Sequence, residues 1–271
     1  MPHLITTADD FGLSPAVNEA VERAAREGIL TSASLMVGAP HAADAVRRAK
    51  ALGGKLKVGL HLVVIEGPAV LPPARIPDLV DEGGHFPGDQ LKLGLRYAVS
   101  PGVRRQLAEE IDAQFAAFRA TGLALDHANA HKHMHLHPVV GGMMIRIGKE
   151  YGLRALRVPA EPPGLGAPFG DRALFWWTRL LRWQARRAGL VSNDGLSGLA
   201  QTGHMTPAIV QALVDALRPG VTEMYFHPAT HTDDALRRTM PDYEHAGELR
   251  ALLETQLPAG VTLTAYSEVA A

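Results

Sequence analysis

Two adjacent carboxylates, Asp9 and Asp10, and an uneven set of histidines are the residues of this chain best suited to chemistry. Five of the 13 histidines (His127, His131, His133, His135 and His137) fall within eleven residues, while His61 and His227 stand apart. There is no cysteine, so a transition metal here must use His, Asp or Glu. One Asp with two His holds a metal and leaves a position open for water, and a second acid alongside is placed to take that water's proton. Side chains of consecutive strand residues point in different directions, so only one member of an Asp-Asp pair need reach the metal. From His131 to His137 every second residue is His; in an extended conformation the four would share a face and line a pocket. Each feature also has a simpler use. An Asp-Asp pair shapes turns or caps helices, a lone His61 is a hydrogen-bonded structural residue, and Pro228 favours an extended residue at His227.

The elements around these residues bring them together. Leu4 to Ala8 reads as a strand that delivers Asp9 and Asp10 at its C-terminal end. Ser14-Pro15 then starts a helix with Val17, Val21 and Ala24 on one face and Gly28 as its stop. Strands are predicted over Ser32–Val37, Leu56–Val64 (carrying His61), Leu123–Ala130 (leading into the clustered histidines), Ala155–Val158, Val221–Phe226 (leading to His227) and Val261–Ala265. Helices are predicted over Ala42–Leu52, from Ser100-Pro101 to Gly122, from Pro138 to Gly152, over Asp171–Gly189, and from Thr206-Pro207 through Leu217. Residues 66–99 and 159–170 are rich in Gly and Pro and read as long loops. Strand and helix alternate with no break in composition and no internal repeat, which predicts one α/β domain over residues 1–271. The expected architecture is an irregular (β/α) TIM-like barrel, with an open doubly wound sheet as the alternative. In either, strand C-termini converge on one face, where active sites form.

The composition sets limits on function. With 271 residues, 46% hydrophobic and 20% charged, the chain suits a globular core. A net charge of −1 gives no global attraction for nucleic acid. The first residues lack the basic start and apolar run of a secretory signal, and no stretch approaches a membrane span; a soluble, cytoplasmic protein is expected. Asp10-Phe11-Gly12 spells a kinase metal motif with no room before it for a nucleotide lobe, and Gly164-Leu165-Gly166 lacks the third glycine of a dinucleotide site.

Thr7-Ala8-Asp9-Asp10-Phe11-Gly12-Leu13-Ser14, Gly59-Leu60-His61-Leu62, His131-Lys132-His133-Met134-His135 and Phe226-His227-Pro228, in that order along nearly the whole chain, resemble the YdjC-like carbohydrate deacetylases. The opening Thr-Thr-Ala-Asp-Asp-Phe-Gly and the Lys-His-Met-His-Leu-His-Pro stretch look like the hopanoid-biosynthesis branch, implicated in deacetylating an N-acetylglucosaminyl hopanoid lipid. The resemblance implies an irregular (β/α) barrel and one divalent metal ion on Asp10, His61 and His131. Asp9 would then be the general base and His227 the candidate acid. Zn²⁺ suits two His and one Asp best by ligand type, and the resemblance also admits Mg²⁺. Many members have Asp-Ser before the first clustered His, whereas this chain has Asn129-Ala130, so Asn129 or Asp126 must take over any orienting role of that Asp.

Arg157 is a candidate for binding sugar or acetate, or for a surface salt bridge, and His133 for the substrate pocket. Ala173–Gly189 holds all three Trp with Arg179, Arg182, Arg186 and Arg187. It reads as a barrel helix with aromatics in the core and arginines in water; the alternative is a basic aromatic surface meeting a lipid substrate. The expected partner is an amino-sugar glycan or glycolipid, without nucleic acid, and with peripheral contact at the inner membrane surface and a homodimer left open. Rival readings are a chitooligosaccharide or diacetylchitobiose deacetylase, an amidohydrolase-type barrel ligating metal through His133 and His135, and a metal-dependent glycolipid-binding protein without turnover.

Overall fold

In the computed structural model, residues 1–161 and 172–269 are described. Seven strands alternate with helices: β1 (Pro2–Phe11), α1 (Pro15–Glu27), β2 (Ser32–Leu35), α2 (Ala42–Ala51), β3 (Lys57–Leu62), α3 (Gln90–Val99), α4 (Pro101–Ala120) and β4 (Leu125–Ala130). A 3₁₀ turn over His131–Leu136 precedes α5 (Pro138–Glu150), α6 (Arg172–Arg187), β5 (Gly195–Ser197), α7 (Pro207–Asp215) and β6 (Gly220–Phe226). The chain finishes with α8 (Asp234–Thr239), α9 (His245–Glu254), β7 (Thr262–Leu263) and α10 (Tyr266–Val269). Two of the predicted starts are side-chain caps, with Ser14 and Ser100 accepting from Val17 N and Val103 N and Pro15 and Pro101 just inside, whereas Thr206 precedes Pro207 without a side-chain cap bond.

The strands form one parallel sheet in the order β4-β3-β2-β1-β6-β5, with β7 also pairing with β1. Its hydrophobic layer packs against helices such as α4, whose Leu107, Ile111, Phe115 and Phe118 are all buried. Among the described residues the sheet does not close into a full TIM-like barrel: it has seven strands, and the side between β4 and β5 is joined by isolated bridges, a bond from Leu196 N to Ala160 O, and the Asn193 amide, which bonds both polar groups of the Val158 backbone. The expected strand over Ala155–Val158 is reduced to these bridges, Ala128 with Leu156 and Ala155 with Val191. Pro159 has no N–H to extend a ladder.

Residues 66–99 are not a simple loop either. They end in α3, whose N-cap is Asp89, and the preceding stretch is tied down by α4: Glu110 accepts from Val70 N and Leu71 N, and Gln114 bonds both polar groups of the Val63 backbone. The Pro- and Gly-rich stretch beyond residue 161, with Gly164-Leu165-Gly166, lies outside the described residues. α6 departs furthest from expectation, because Trp176, Trp177 and Trp183 are exposed and the helix buries Thr178, Leu181 and Ala185 instead.

Candidate active site and metal centre

β1 is central in the sheet and ends in the two acids. Its pairing with β2 slips between Ala8 and Phe11, and Asp10 sits at φ 59°. This bulge-like irregularity re-aims a side chain that a regular strand would send to the other face. Asp10 Oδ1 lies 3.2 Å from His61 Nε2 and 3.2 Å from His131 Nδ1, and those ring nitrogens are 3.4 Å apart. All three residues are buried, with one potential ligand atom from each within 4.8 Å of the others. Neither carboxylate oxygen of Asp10 completes a hydrogen bond. Buried oxygens without donors, faced by two imidazole nitrogens, are what a cation would satisfy, so this donor set fits a divalent ion. Burial alone would raise the Asp10 pKa, but His131 and His61 hold it well below the usual range.

His61 on β3 is registered opposite Asn129 on β4. Its Nδ1–H donates to Asn129 Oδ1 at 2.6 Å, which leaves Nε2 as the ligating nitrogen. The Asn129 amide donates to Ser34 Oγ at 2.8 Å and Asp9 Oδ1 at 3.2 Å. Asn129 thus orients His61, whereas Asp126 bonds His127 Nδ1 and Ser267 N. Gly59 is small for a related reason: a Cβ there would fall 2.6 Å from the His127 ring. Asn129→Ala is expected to weaken metal affinity about 10–100-fold, measured by competition with a chromophoric chelator; unchanged affinity would remove Asn129 from ligand positioning.

Arg157 is fully buried rather than on the pocket wall, which removes it from both sugar binding and a surface salt bridge. Its guanidinium donates to Asp9 through Nη1 (2.5 Å to Oδ2) and Nη2 (3.0 Å to Oδ1). It donates also to Glu223 through Nε (3.0 Å) and Nη2 (2.8 Å). Glu223 accepts further bonds from Thr7 Oγ1 and the Tyr266 hydroxyl, each 2.6 Å. Burial would raise the Asp9 pKa; the charge and hydrogen bonds of Arg157 overcome it and hold the carboxyl ionised, well below the usual range.

The clustered histidines do not share one face. Lys132 and His133 take left-handed φ values of 50° and 53°, so the alternation of an extended strand is lost. His131 joins Asp10, His133 lies against Tyr225 (ring centroids 5.3 Å apart), His135 bonds the Arg157 carbonyl and His137 packs on Trp177. His133 and His135 meet edge to face, with ring centroids 5.9 Å apart, but His135 Nε2 is engaged by the Arg157 carbonyl, and the group of three metal-ligating side chains among the described residues is Asp10, His61 and His131. Burial pushes the His133 pKa down to about 3.

A pocket of about 360 Å³ opens over Asp9, His61, His131, His133 and His227. The His227 ring stands between Tyr225 and Tyr243, with centroids 5.6 and 5.1 Å away. Its backbone N–H donates to Glu248, and its carbonyl accepts from His245 Nδ1 at 2.7 Å. Burial lowers the His227 pKa, and burial pushes Glu248 up to about 7 against its backbone donors. Glu223, Tyr225 and Tyr243 escaped notice in the sequence. The first two were findable, because residues 223, 225 and 227 share one face of a strand by alternation. Tyr243 comes from an irregular segment with no periodic signal.

The profile of the YdjC-like protein family matches residues 3–261. The chain belongs to this family. A carbohydrate deacetylase from Brevibacillus brevis is 30% identical over 258 residues, covering 94% of this YdjC-like chain and 92% of its own. Another from Thermoanaerobacter pseudethanolicus is 27% identical, covering 87% and 84%. Among solved structures, one from Enterococcus faecalis V583, described as a putative cellobiose-phosphate cleavage protein, superposes with a TM-score of 0.77 at 22% identity over 99% of both chains. That likeness is one of fold.

Proposed function

We propose that this chain is a metal-dependent carbohydrate deacetylase acting on an N-acetylglucosamine-bearing substrate, in its most specific form an N-acetylglucosaminyl hopanoid lipid. The observation that carries the reading is the pairing, in one pocket, of an ionised Asp9 clasped by Arg157 with the buried Asp10, His61 and His131 cluster. Deacetylase relatives of similar length support the activity, and the motif resemblance supports the lipid.

Asp10, His61 and His131 would hold a divalent ion, which would supply an activated water and polarise the acetamide carbonyl. Asp9 is placed to accept a proton from the attacking water as the water's oxygen joins the acetyl carbon. His227, with a pKa lowered by burial, is a ready proton donor once protonated, and gives its proton to the sugar nitrogen as the C–N bond breaks. The products are acetate and a free amino sugar. Tyr225 and Tyr243 flank His227 in the lining of the pocket.

The reading is tested by elemental analysis of purified protein together with acetate release from N-acetylglucosaminyl hopanoid and from chitooligosaccharides. Release from the hopanoid in preference to the oligosaccharide is expected, with a divalent metal present. Release from the oligosaccharide alone would remove the hopanoid, and no release from either by metal-loaded protein would leave a binding protein.

A further inference from the structure

The exposed apolar side chains of this protein are not scattered. On α3, Leu91, Leu95 and Val99 are 87%, 64% and 66% exposed. On α6, Trp176 and Trp183 are 63% and 57% exposed, with Leu180 between them. Apart from Met1 and Trp177, no other large apolar residue stands so exposed among the described residues.

The spacing makes each set a stripe. At about 100° per residue, positions 91, 95 and 99 stand together on the side of α3 away from buried Leu93 and Tyr97. Positions 176, 180 and 183 do the same on α6, opposite Leu181 and Ala185. An ordinary surface helix keeps its polar residues there. Between the helices runs an apolar groove of about 630 Å³, walled by Leu91, Leu95 and Trp177 and floored by Met134 and Leu136. It shares Lys132, His133 and Leu199 with the catalytic pocket, so the two adjoin.

The charge beside these stripes has one sign. α3 contributes Lys92 and Arg96, α6 contributes the exposed Arg179, Arg186 and Arg187, and neither helix contains an acid, although the whole chain carries a net charge of −1. Apolar stripes with Trp and a cationic flank match the interface of an anionic bilayer, where indole rings sit at headgroup level and Arg meets lipid phosphate. A symmetric contact with a second copy would set cation against cation with no acid in either helix to pair. No helix of the described residues is long and apolar enough to cross a membrane, so the contact is one of lying on the surface.

We propose that α3 and α6 form a docking face for an anionic lipid bilayer, which brings the mouth of the groove to the membrane surface. The docking face stands on its own observations. The role of the groove, receiving the apolar part of an amphiphilic substrate whose sugar enters the catalytic pocket, rests on the deacetylase reading.

All three Trp lie on α6, so the unaltered full chain reports its own docking. Vesicles of phosphatidylglycerol with phosphatidylcholine should shift the Trp emission to the blue and co-sediment the protein, more at low salt than at high salt and more than phosphatidylcholine alone. Trp176→Ser/Trp183→Ser should lower co-sedimentation about tenfold or more, while leaving acetate release from a soluble chitooligosaccharide unchanged. Absence of both the emission shift and co-sedimentation would overturn the proposal, as would a concentration-dependent dimer that buries the same Trp. Vesicle binding without acetate release from any substrate would sink the deacetylase reading and leave the docking face. Acetate release without vesicle binding would do the reverse.

Discussion

Asp9→Asn should lower acetate release by about 10²–10⁴-fold while the purified protein retains its metal. Asn keeps the shape of Asp but has no basic oxygen to take a proton from water. The candidate metal donors are Asp10, His61 and His131, and Asp9 stays outside that set, with its Oδ1 3.9 Å from His61 Nδ1. The substitution is not structurally silent, since Arg157 loses one of its two bidentate carboxylates and the new amide points donors at donors. A stability cost of about 1–3 kcal/mol is expected from the mispaired groups. The measurements are acetate release by a coupled assay and metal content by elemental analysis. Metal lost in Asp9→Asn but kept in Asp10→Asn would reverse the roles of the two acids.

Arg157→Met should be the most destabilising single change in the site, at about 3–5 kcal/mol. It leaves Asp9 and Glu223 buried together without the cation that pairs both. Arg157→Lys should recover only part of the loss, because an ammonium cannot bridge two carboxylates bidentately. Arg157→Met/Glu223→Gln removes one of the stranded charges and should be more stable than Arg157→Met alone. Urea midpoints of the three variants, read at one pH and metal concentration, decide the matter. A loss below about 1 kcal/mol in Arg157→Met would show that the clasp is not structural.

Much of the fold was legible because its signals are local. Ser-Pro at Ser14 and Ser100 announces a helix start through a side-chain cap, and Leu107, Ile111, Phe115 and Phe118 mark the buried face of α4 through their spacing. The convergence of Asp9, Asp10, His61, His131 and His227 followed from the common direction of parallel strands. What failed depended on contacts distant in sequence or on backbone that breaks the period. Arg157 looked like a surface residue because its partners lie 148 and 66 positions away. The alternating histidines looked like an extended strand, and two left-handed residues undid the alternation. The α6 tryptophans looked like core because large apolar residues usually are; small Thr178 and Ala185 with Leu181 fill the inward face instead.

The irregularity at the end of β1 fixes one thing that no loop can alter. Asp9 and Asp10 are consecutive in the chain, so the spacing between the proposed proton acceptor and the proposed metal ligand is set by a single peptide unit rather than by the packing of separate elements. The pocket rim, built from segments around Thr202 and Tyr243, is under no such tether. Rim segments can thus be exchanged, lengthened or reshaped to suit a different sugar or aglycone while the reacting groups keep their mutual geometry. An insertion ahead of residue 9 would displace the two acids together, whereas one between residues 9 and 10 would part them.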